Sequence, residues 1–239
     1  MTIRHIAVLG SGVMGGGIAA LAANAGLKVT LLDIVAKDNS NRNALAEGAV
    51  ERMRKASPSP FLSKARASAI QCGNLEDHLD YLKDADWIVE AVIERKDIKQ
   101  QVYQKVDSVR KAGSVLSSNT STIPLHDLLE GLPAHIAQDF MIAHFFNPPR
   151  YMPLLEVVKS PTMQASHFRR ICDFADRGLG KEIVPCKDTP GFIANRIGVF
   201  WMTVGLQEAI RRGVRIEDAD AVMSRPVGIP KTGIFGLYD

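Results

Sequence analysis

His5-Ile6-Ala7-Val8-Leu9-Gly10-Ser11-Gly12-Val13-Met14-Gly15 is a short apolar, β-branched run that passes directly into a glycine turn. Working outward, Gly16 to Gly26 continues as a helix of small residues, and Lys28 to Leu32 forms a second apolar strand ending at Asp33, 23 residues beyond Gly10. Strand, glycine turn, helix, strand and acid, in that order, is the pattern of a dinucleotide site. Gly10 permits the tight turn, Gly12 lets backbone approach a pyrophosphate, and Gly15 lets the helix pack closely on the strand. Unpaired N–H groups at the helix start favour an anion there. Asp33 is placed to accept from an adenosine ribose 2′-OH. An NADP 2′-phosphate would set like charge against it, so NAD is the expected cofactor. The plainer alternative for Asp33 is a solvated acid at a strand end.

Ile34 to Gly73 loses periodicity; its charges, alanines and Ser57-Pro58-Ser59-Pro60 suggest a helical excursion and a break lying outside the sheet. Trp87 to Ile93 is strongly apolar with Glu90 inside it, and Asp97 to Lys111 has helical spacing stopped at Gly113. Strand-like pieces recur at Val115–Leu116, Phe140–Phe146, Leu154–Val158 and Ile183–Cys186, with a helix over Pro161–Arg177. Strands alternating with helices predict an α/β fold, a Rossmann-type doubly wound, mostly parallel sheet covered on both faces. Beyond Pro190-Gly191, helical spacing over Phe192–Arg212 and Ile216–Met223 predicts the beginning of an all-helical second domain. The expected division is an NAD-binding domain over 1–188 and an incomplete helical domain over 189–239, serving substrate binding or dimerisation. Further domains of a longer parent chain, or a homodimer partner, are expected to complete it.

The 239 residues are 46% apolar and 23% charged, ordinary for a folded domain. A formal charge of +3, from 29 Lys and Arg against 26 Asp and Glu, is too slight to argue for nucleic acid. Cys72, Cys172 and Cys186 are odd in number and far apart, which indicates neither a disulfide scaffold nor a metal site. Unpaired thiols, a strand reading from Met1 onward that leaves no room for a signal peptide, and no run of the roughly 18 apolar residues that span a bilayer together predict a cytoplasmic protein.

Oxidation of a secondary alcohol by hydride transfer needs a base for the hydroxyl proton, a polar setting for the oxygen and an aligned nicotinamide. His144, a titratable group among rings in Ala143-His144-Phe145-Phe146-Asn147-Pro148, is the best base candidate; a satisfied structural histidine is the competing reading. Glu156, 12 residues on in the next strand-like piece, could accept from its other ring nitrogen. By residues alone, Ser121 also reads as a helix cap, Asn195 as a helix-surface residue, and Glu94 with Lys99 as a solvated ion pair.

Taken together, Gly10–Gly15, Ser118-Asn119-Thr120-Ser121, His144-Phe145-Phe146-Asn147-Pro148, Leu155-Glu156-Val157-Val158 and Lys187-Asp188-Thr189-Pro190-Gly191-Phe192-Ile193-Ala194-Asn195-Arg196 resemble the L-3-hydroxyacyl-CoA dehydrogenase family. The resemblance implies His144 as catalytic base with Glu156 as its partner, and Ser121 and Asn195 as catalytic residues at the substrate oxygen. It implies Glu94, Lys99, Met14 and Asn119 at the cofactor beside Gly10, Gly12, Gly15 and Asp33, with no metal. The implied reaction is the reversible, NAD-dependent oxidation of a (3S)-3-hydroxyacyl-CoA to a 3-ketoacyl-CoA in fatty-acid β-oxidation. Arg52, Arg54, Lys55, Lys64 and Arg66 could supply a basic patch for the phosphates of the acyl-CoA. The family commonly has glycine where this chain has Ile142, and Ser57–Ser59 is shorter and more proline-broken than the excursion the family uses near the CoA tail. The terminal Gly228–Leu237 resembles the version in multifunctional fatty-acid oxidation proteins. Two alternatives remain: a dehydrogenase of a small hydroxy or sugar acid on the same fold, and an NAD-binding module without turnover in isolation.

Asp33→Ala is expected to weaken the preference for NAD over NADP in paired binding titrations. Unchanged discrimination would contradict the ribose assignment.

Overall fold

A computed structural model describes residues 2–37, 40–228 and 232–238; Ile229, Pro230 and Lys231 of the terminal stretch lie outside the described residues. The chain forms two compact units, Met1–Pro190 and Gly191–Asp239.

The first unit is built on an eight-stranded sheet: β1 (His5–Leu9), β2 (Lys28–Asp33), β3 (Ile70–Asn74), β4 (Trp87–Glu90), β5 (Val115–Ser118), β6 (Phe140–Phe145), β7 (Leu154–Lys159) and β8 (Glu182–Pro185). Their order is β3-β2-β1-β4-β5-β6-β7-β8. All neighbours are parallel except β6 and β7, which run antiparallel. This is the doubly wound α/β arrangement read from the sequence, with its order reversing between β1 and β4. Such a switch point opens a crevice at the carboxyl ends of the strands, where ligands bind.

Helices α1 (Val13–Asn24), α2 (Ala44–Lys55), α3 (Lys64–Ala67), α4 (Lys96–Asp107), α5 (Leu125–Leu129) and α6 (Ala165–Leu179) connect and flank the strands. Every residue of β1 and of β4 is buried, as a parallel sheet covered on both faces requires. On one face Ile6 and Val8 pack with Ile18 and the alanines of α1, while Met141, Ala143, Leu155 and Val157 share that core with Ile171, Ala175 and Leu179 of α6. Trp87 stands fully buried at its centre, its indole N–H donating to Ser117 Oγ at 2.8 Å. α6 stops at Gly180, whose φ of 65° lets its N–H return to the carbonyls of Ala175 and Asp176.

One expectation is overturned. Ile34–Gly73 does not lie wholly outside the sheet, because Ile70–Asn74 adds to it as β3, in register with Val29–Asp33 of β2. An edge strand pairs on one side and needs little apolar surface; only Ile70, Gly73 and Asn74 of the five are buried. The signal is therefore weak. The excursion before it is α2 and α3, and β1 begins at His5 rather than at Met1.

The second unit holds α7 (Ala194–Arg211), α8 (Ile216–Val222), a 3-10 turn at Arg225–Val227 and α9 (Phe235–Tyr238). Asp220 Oδ1 accepts from the Phe235 N–H at 2.8 Å, which ties α9 to α8. Among the described residues no helix is long and apolar enough to cross a membrane.

A Cβ on Gly15 would lie 1.9 Å from the Gly10 carbonyl oxygen, so helix and turn meet there at backbone distance. Gly15→Ala is expected to lower unfolding free energy by at least about 2 kcal/mol, within the range of an overpacked core. An unchanged urea midpoint would contradict this packing.

Candidate active site

Three groups of residues gather at the carboxyl ends of the central strands. The first is the glycine turn after β1. Gly10 adopts φ 95°, and a Cβ there would meet the Ala91 carbonyl oxygen at 2.5 Å. Gly12, the residue capping α1, is the opposite case: a Cβ there would meet nothing within 4 Å. The turn is thus closed on the protein side and open above Gly12 and the first N–H groups of α1, whose first turn carries no acid. That is the cradle a diphosphate needs. Met14 lies in the same first turn of α1. Asp33 stands at the end of β2. Its Oδ2 accepts from the Ser11 N–H at 2.6 Å and the Ser11 hydroxyl at 2.5 Å, and its Oδ1 from the Ile34 N–H at 2.7 Å. The acid braces the glycine turn, a role the sequence reading missed. A carboxylate has further lone pairs for a ribose hydroxyl.

A cleft of about 540 Å³ adjoins this turn, lined among others by Gly12, Gly16, Arg52, Met53, Pro58 and Pro149. Of the five basic residues singled out near the excursion, Arg52 lines it, whereas Arg54 and Lys55 pair with Glu51 at 3.3 and 3.2 Å.

The second group is the pair on β6 and β7. Antiparallel register sets His144 directly opposite Glu156. Nδ1 of the imidazole lies 2.9 Å from Glu156 Oε2, and the two residues are 6% and 1% exposed. The Phe146 ring stands 4.4 Å from the imidazole, centroid to centroid. Ile142, where glycine is common, is simply a fully buried core residue of β6. Asn119 Oδ1 accepts from the Phe145 N–H at 2.9 Å, so this predicted cofactor residue also fixes the end of β6 against the loop after β5. The proline turn that follows is held by buried Lys181, which donates to the carbonyls of Pro149 and Met152 at 2.5 and 2.7 Å. Burial pushes the Lys181 ammonium below its usual range. Cys186 lies beside Glu156; burial and then that carboxylate push its thiol up to about 11. Cys72 and Cys172 are pushed to about 11 as well, chiefly by burial, so none of the three is a ready thiolate.

The third group holds the loop after β5. Glu94 Oε1 accepts from the Thr120 and Thr122 hydroxyls, the latter at 2.9 Å, and from the Ser121 and Thr122 N–H groups at 3.3 Å each. Its Oε2 lies 3.1 Å from Lys99 Nζ. Lys99 is not solvated as its residue type suggested: it is 1% exposed, and Glu90 Oε1 takes its ammonium at 2.7 Å. Tyr103 and Ser118 donate to the other Glu90 oxygen, each at 2.7 Å. Burial, then the Glu90 charge, raises the Tyr103 phenol well above its ordinary pKa and keeps it a donor. Burial opposes ionisation of Glu94, but the Thr120 hydrogen bond and the Lys99 charge outweigh it and hold the carboxyl below its usual range. Glu90 received no role from the sequence. The available signal was a lone acid inside an apolar strand, which must find partners once buried.

Ser121 therefore lies on the loop that follows β5, the strand paired with β6, and Glu94 anchors that loop. Asn195 lies in the first turn of α7, in the second unit.

The family model described as 3-hydroxyacyl-CoA dehydrogenase, NAD binding domain, matches residues 5–189. A Rickettsia felis protein named for a fatty acid oxidation complex trifunctional enzyme is 44% identical over 237 residues, covering 99% of this chain and 33% of that protein. A Deinococcus radiodurans protein named as a 3-hydroxyacyl-CoA dehydrogenase is 43% identical over 239 residues, covering 100% of this chain and 69% of that one. The crystal structure of M. tuberculosis FadB2 superposes with a TM-score of 0.80 at 25% identity, over 97% of this chain and 81% of that one. The chain thus spans about a third of the trifunctional relative and about two thirds of the dehydrogenase.

A carboxyl group with a lowered folded-state pKa stabilises the fold above its unfolded value of about 4.3, and that contribution is lost as pH falls through the folded value. For Glu94 the stability gap between wild type and Glu94→Gln is therefore expected to be constant above about pH 5.5 and to close progressively below about pH 4. A gap independent of pH in urea unfolding would contradict the charged anchor.

Proposed function

The chain belongs to the 3-hydroxyacyl-CoA dehydrogenase family through its NAD-binding domain, and from that membership we propose that it oxidises (3S)-3-hydroxyacyl-CoA thioesters reversibly to 3-ketoacyl-CoA. The observation that carries the reading is the buried His144–Glu156 pair, set by strand register beside the loop that bears Ser121. The cradle over Gly12 and the acid at the end of β2 fit NAD.

Bound NAD supplies the acceptor for the hydride, two electrons and the hydrogen leaving C3 of the substrate. His144 takes the hydroxyl proton at Nε2, since Nδ1 faces Glu156, and the C3–O bond becomes a carbonyl. Glu156 holds the ring in orientation and stabilises the imidazolium that results. Ser121 and Asn195 donate hydrogen bonds to the substrate oxygen as its charge changes. Products are the 3-ketoacyl thioester, reduced cofactor and a proton on His144, and ketone reduction retraces the same path. Asp33, Met14, Glu94, Lys99 and Asn119 take cofactor contacts, and Arg52 at the cleft takes an anionic part of the CoA.

The same proposal assigns the second unit, the start of a helical domain, to substrate binding or dimerisation, and places the activity in fatty-acid β-oxidation, in the cytoplasm. Relatives that extend well beyond this chain, one of them named for a trifunctional enzyme, support further segments as its partners; a second copy is the alternative.

Loss of NADH absorbance with acetoacetyl-CoA, against free keto acids as controls, tests the reading. Turnover of the free acids alone would replace it with a small hydroxy-acid dehydrogenase; NADH binding without turnover of any acyl-CoA would leave a nucleotide-binding module. His144→Gln is expected to lower kcat by about 10² or more, the size of a general-base effect, with NADH affinity little changed. Near-normal turnover would remove His144 from the chemistry.

A further inference from the structure

Glu90 is the last residue of β4, at the carboxyl end of the sheet. It is fully buried in the central strand β4, among Trp87, Ile88 and Val89, and touches neither the glycine turn's open face nor the His144–Glu156 pair in any hydrogen bond. A buried carboxylate costs several kcal/mol unless it is paired and hydrogen-bonded. Here the side-chain partners come from two elements that flank β4, the helix α4 and the strand β5. Lys99 comes from α4 at 2.7 Å, Tyr103 from the next turn of α4 at 2.7 Å, and Ser118 from the last residue of β5 at 2.7 Å. Glu90 Oε1 also accepts from the Val92 N–H at 2.8 Å, fixing the bend that leads to Glu94.

Those bonds form a chain with a direction. Glu90 fixes Lys99; Lys99, whose buried ammonium must be met by protein groups, fixes Glu94 Oε2 at 3.1 Å; and Glu94 Oε1 gathers Thr120, Ser121 and Thr122. A second arm is shorter. The Ser118 hydroxyl that donates to Glu90 also accepts from the Thr120 N–H at 3.2 Å, at the base of the same loop. Both arms end on the segment that carries Ser121.

We propose that Glu90 is a positioning residue, which sets the Ser118–Thr122 loop through Lys99 and Glu94 on one side and Ser118 on the other. The proposal deepens the dehydrogenase reading, on which its catalytic consequence rests; its structural content does not depend on turnover. Glu94 then has two tasks. One oxygen reports to the buried ammonium and the other holds the substrate-side loop, so any ligand that draws on Glu94 or Lys99 is felt at Ser121. Neutralising Glu90 leaves Lys99 with Glu94 as its one remaining carboxylate, and Glu94 is pulled from the loop toward the ammonium.

The test uses the full chain with Glu90→Gln, Tyr103→Phe and, as a control, Val106→Ala, which loosens α4 from its buried apolar face without touching a polar atom of the network. Amide hydrogen exchange is followed at residues 120–123 and in β1. Glu90→Gln is expected to speed exchange at 120–123 by at least about tenfold beyond the change in β1, and Tyr103→Phe to act in the same direction with a smaller effect. Val106→Ala should change the two regions alike. With acetoacetyl-CoA and NADH, Glu90→Gln should lower kcat at least tenfold while Val106→Ala leaves it within about twofold. Exchange at 120–123 that follows β1 in both network variants would overturn the proposal. If Glu90→Gln does not fold, Tyr103→Phe decides by the same local comparison. Loop exchange that responds as expected in a chain that turns over no acyl-CoA would uphold the positioning role and reject the dehydrogenase reading instead.

Discussion

The site depends on one reversal of direction. Six strands run parallel and deliver their carboxyl ends to a common rim of the sheet, where His144 stands next to the last residue of β6. β7 returns antiparallel to β6, and register places Glu156 opposite His144. The pair then forms between two buried side chains at 2.9 Å, where a one-residue slip would turn both to the other face. Phe145 and Leu155, the next opposed pair, are both core residues and fix that register by their burial. Packing on the apolar face thus decides the chemistry on the polar one.

The loops beyond the strands are held by charge rather than by apolar packing. Lys99 between Glu90 and Glu94, Asp33 on Ser11, and Lys181 on the carbonyls of the proline turn each replace the solvation a loop would otherwise take from water. Removing one partner of a buried ion pair such as Lys99–Glu90 costs about 3–5 kcal/mol, because the other charge stays behind without compensation. These contacts therefore specify geometry more than they add stability. They also leave the open side of the crevice to backbone N–H groups over Gly12, where a diphosphate can approach.

Much of this was legible from residues alone. The order strand, glycine turn, helix, strand and acid gave the nucleotide half, because each element answers a separate geometric demand, and the sheet follows it. The His144–Glu156 contact does not follow from spacing, since pairing in three dimensions depends on register that the eleven intervening residues do not reveal. β3 was invisible because an edge strand needs little apolar surface. Glu90, Tyr103 and Lys181 carry no such signal, because a charged or phenolic residue declares its partners only when burial is known. Asp33 was read as facing a ligand, and its grip on Ser11 came from the turn's closure over the end of β2.

The central claim is that His144 and Glu156 work as one unit on a 3-hydroxyacyl thioester. A double-mutant cycle on kcat tests it most directly, using Glu156→Gln, the glutamine variant of His144 and the two combined, assayed with acetoacetyl-CoA and NADH. Groups that act as a unit are strongly non-additive. The account predicts a double variant no slower, within about threefold, than the slower of the two single variants. Losses that multiply would show two residues acting independently and would contradict it.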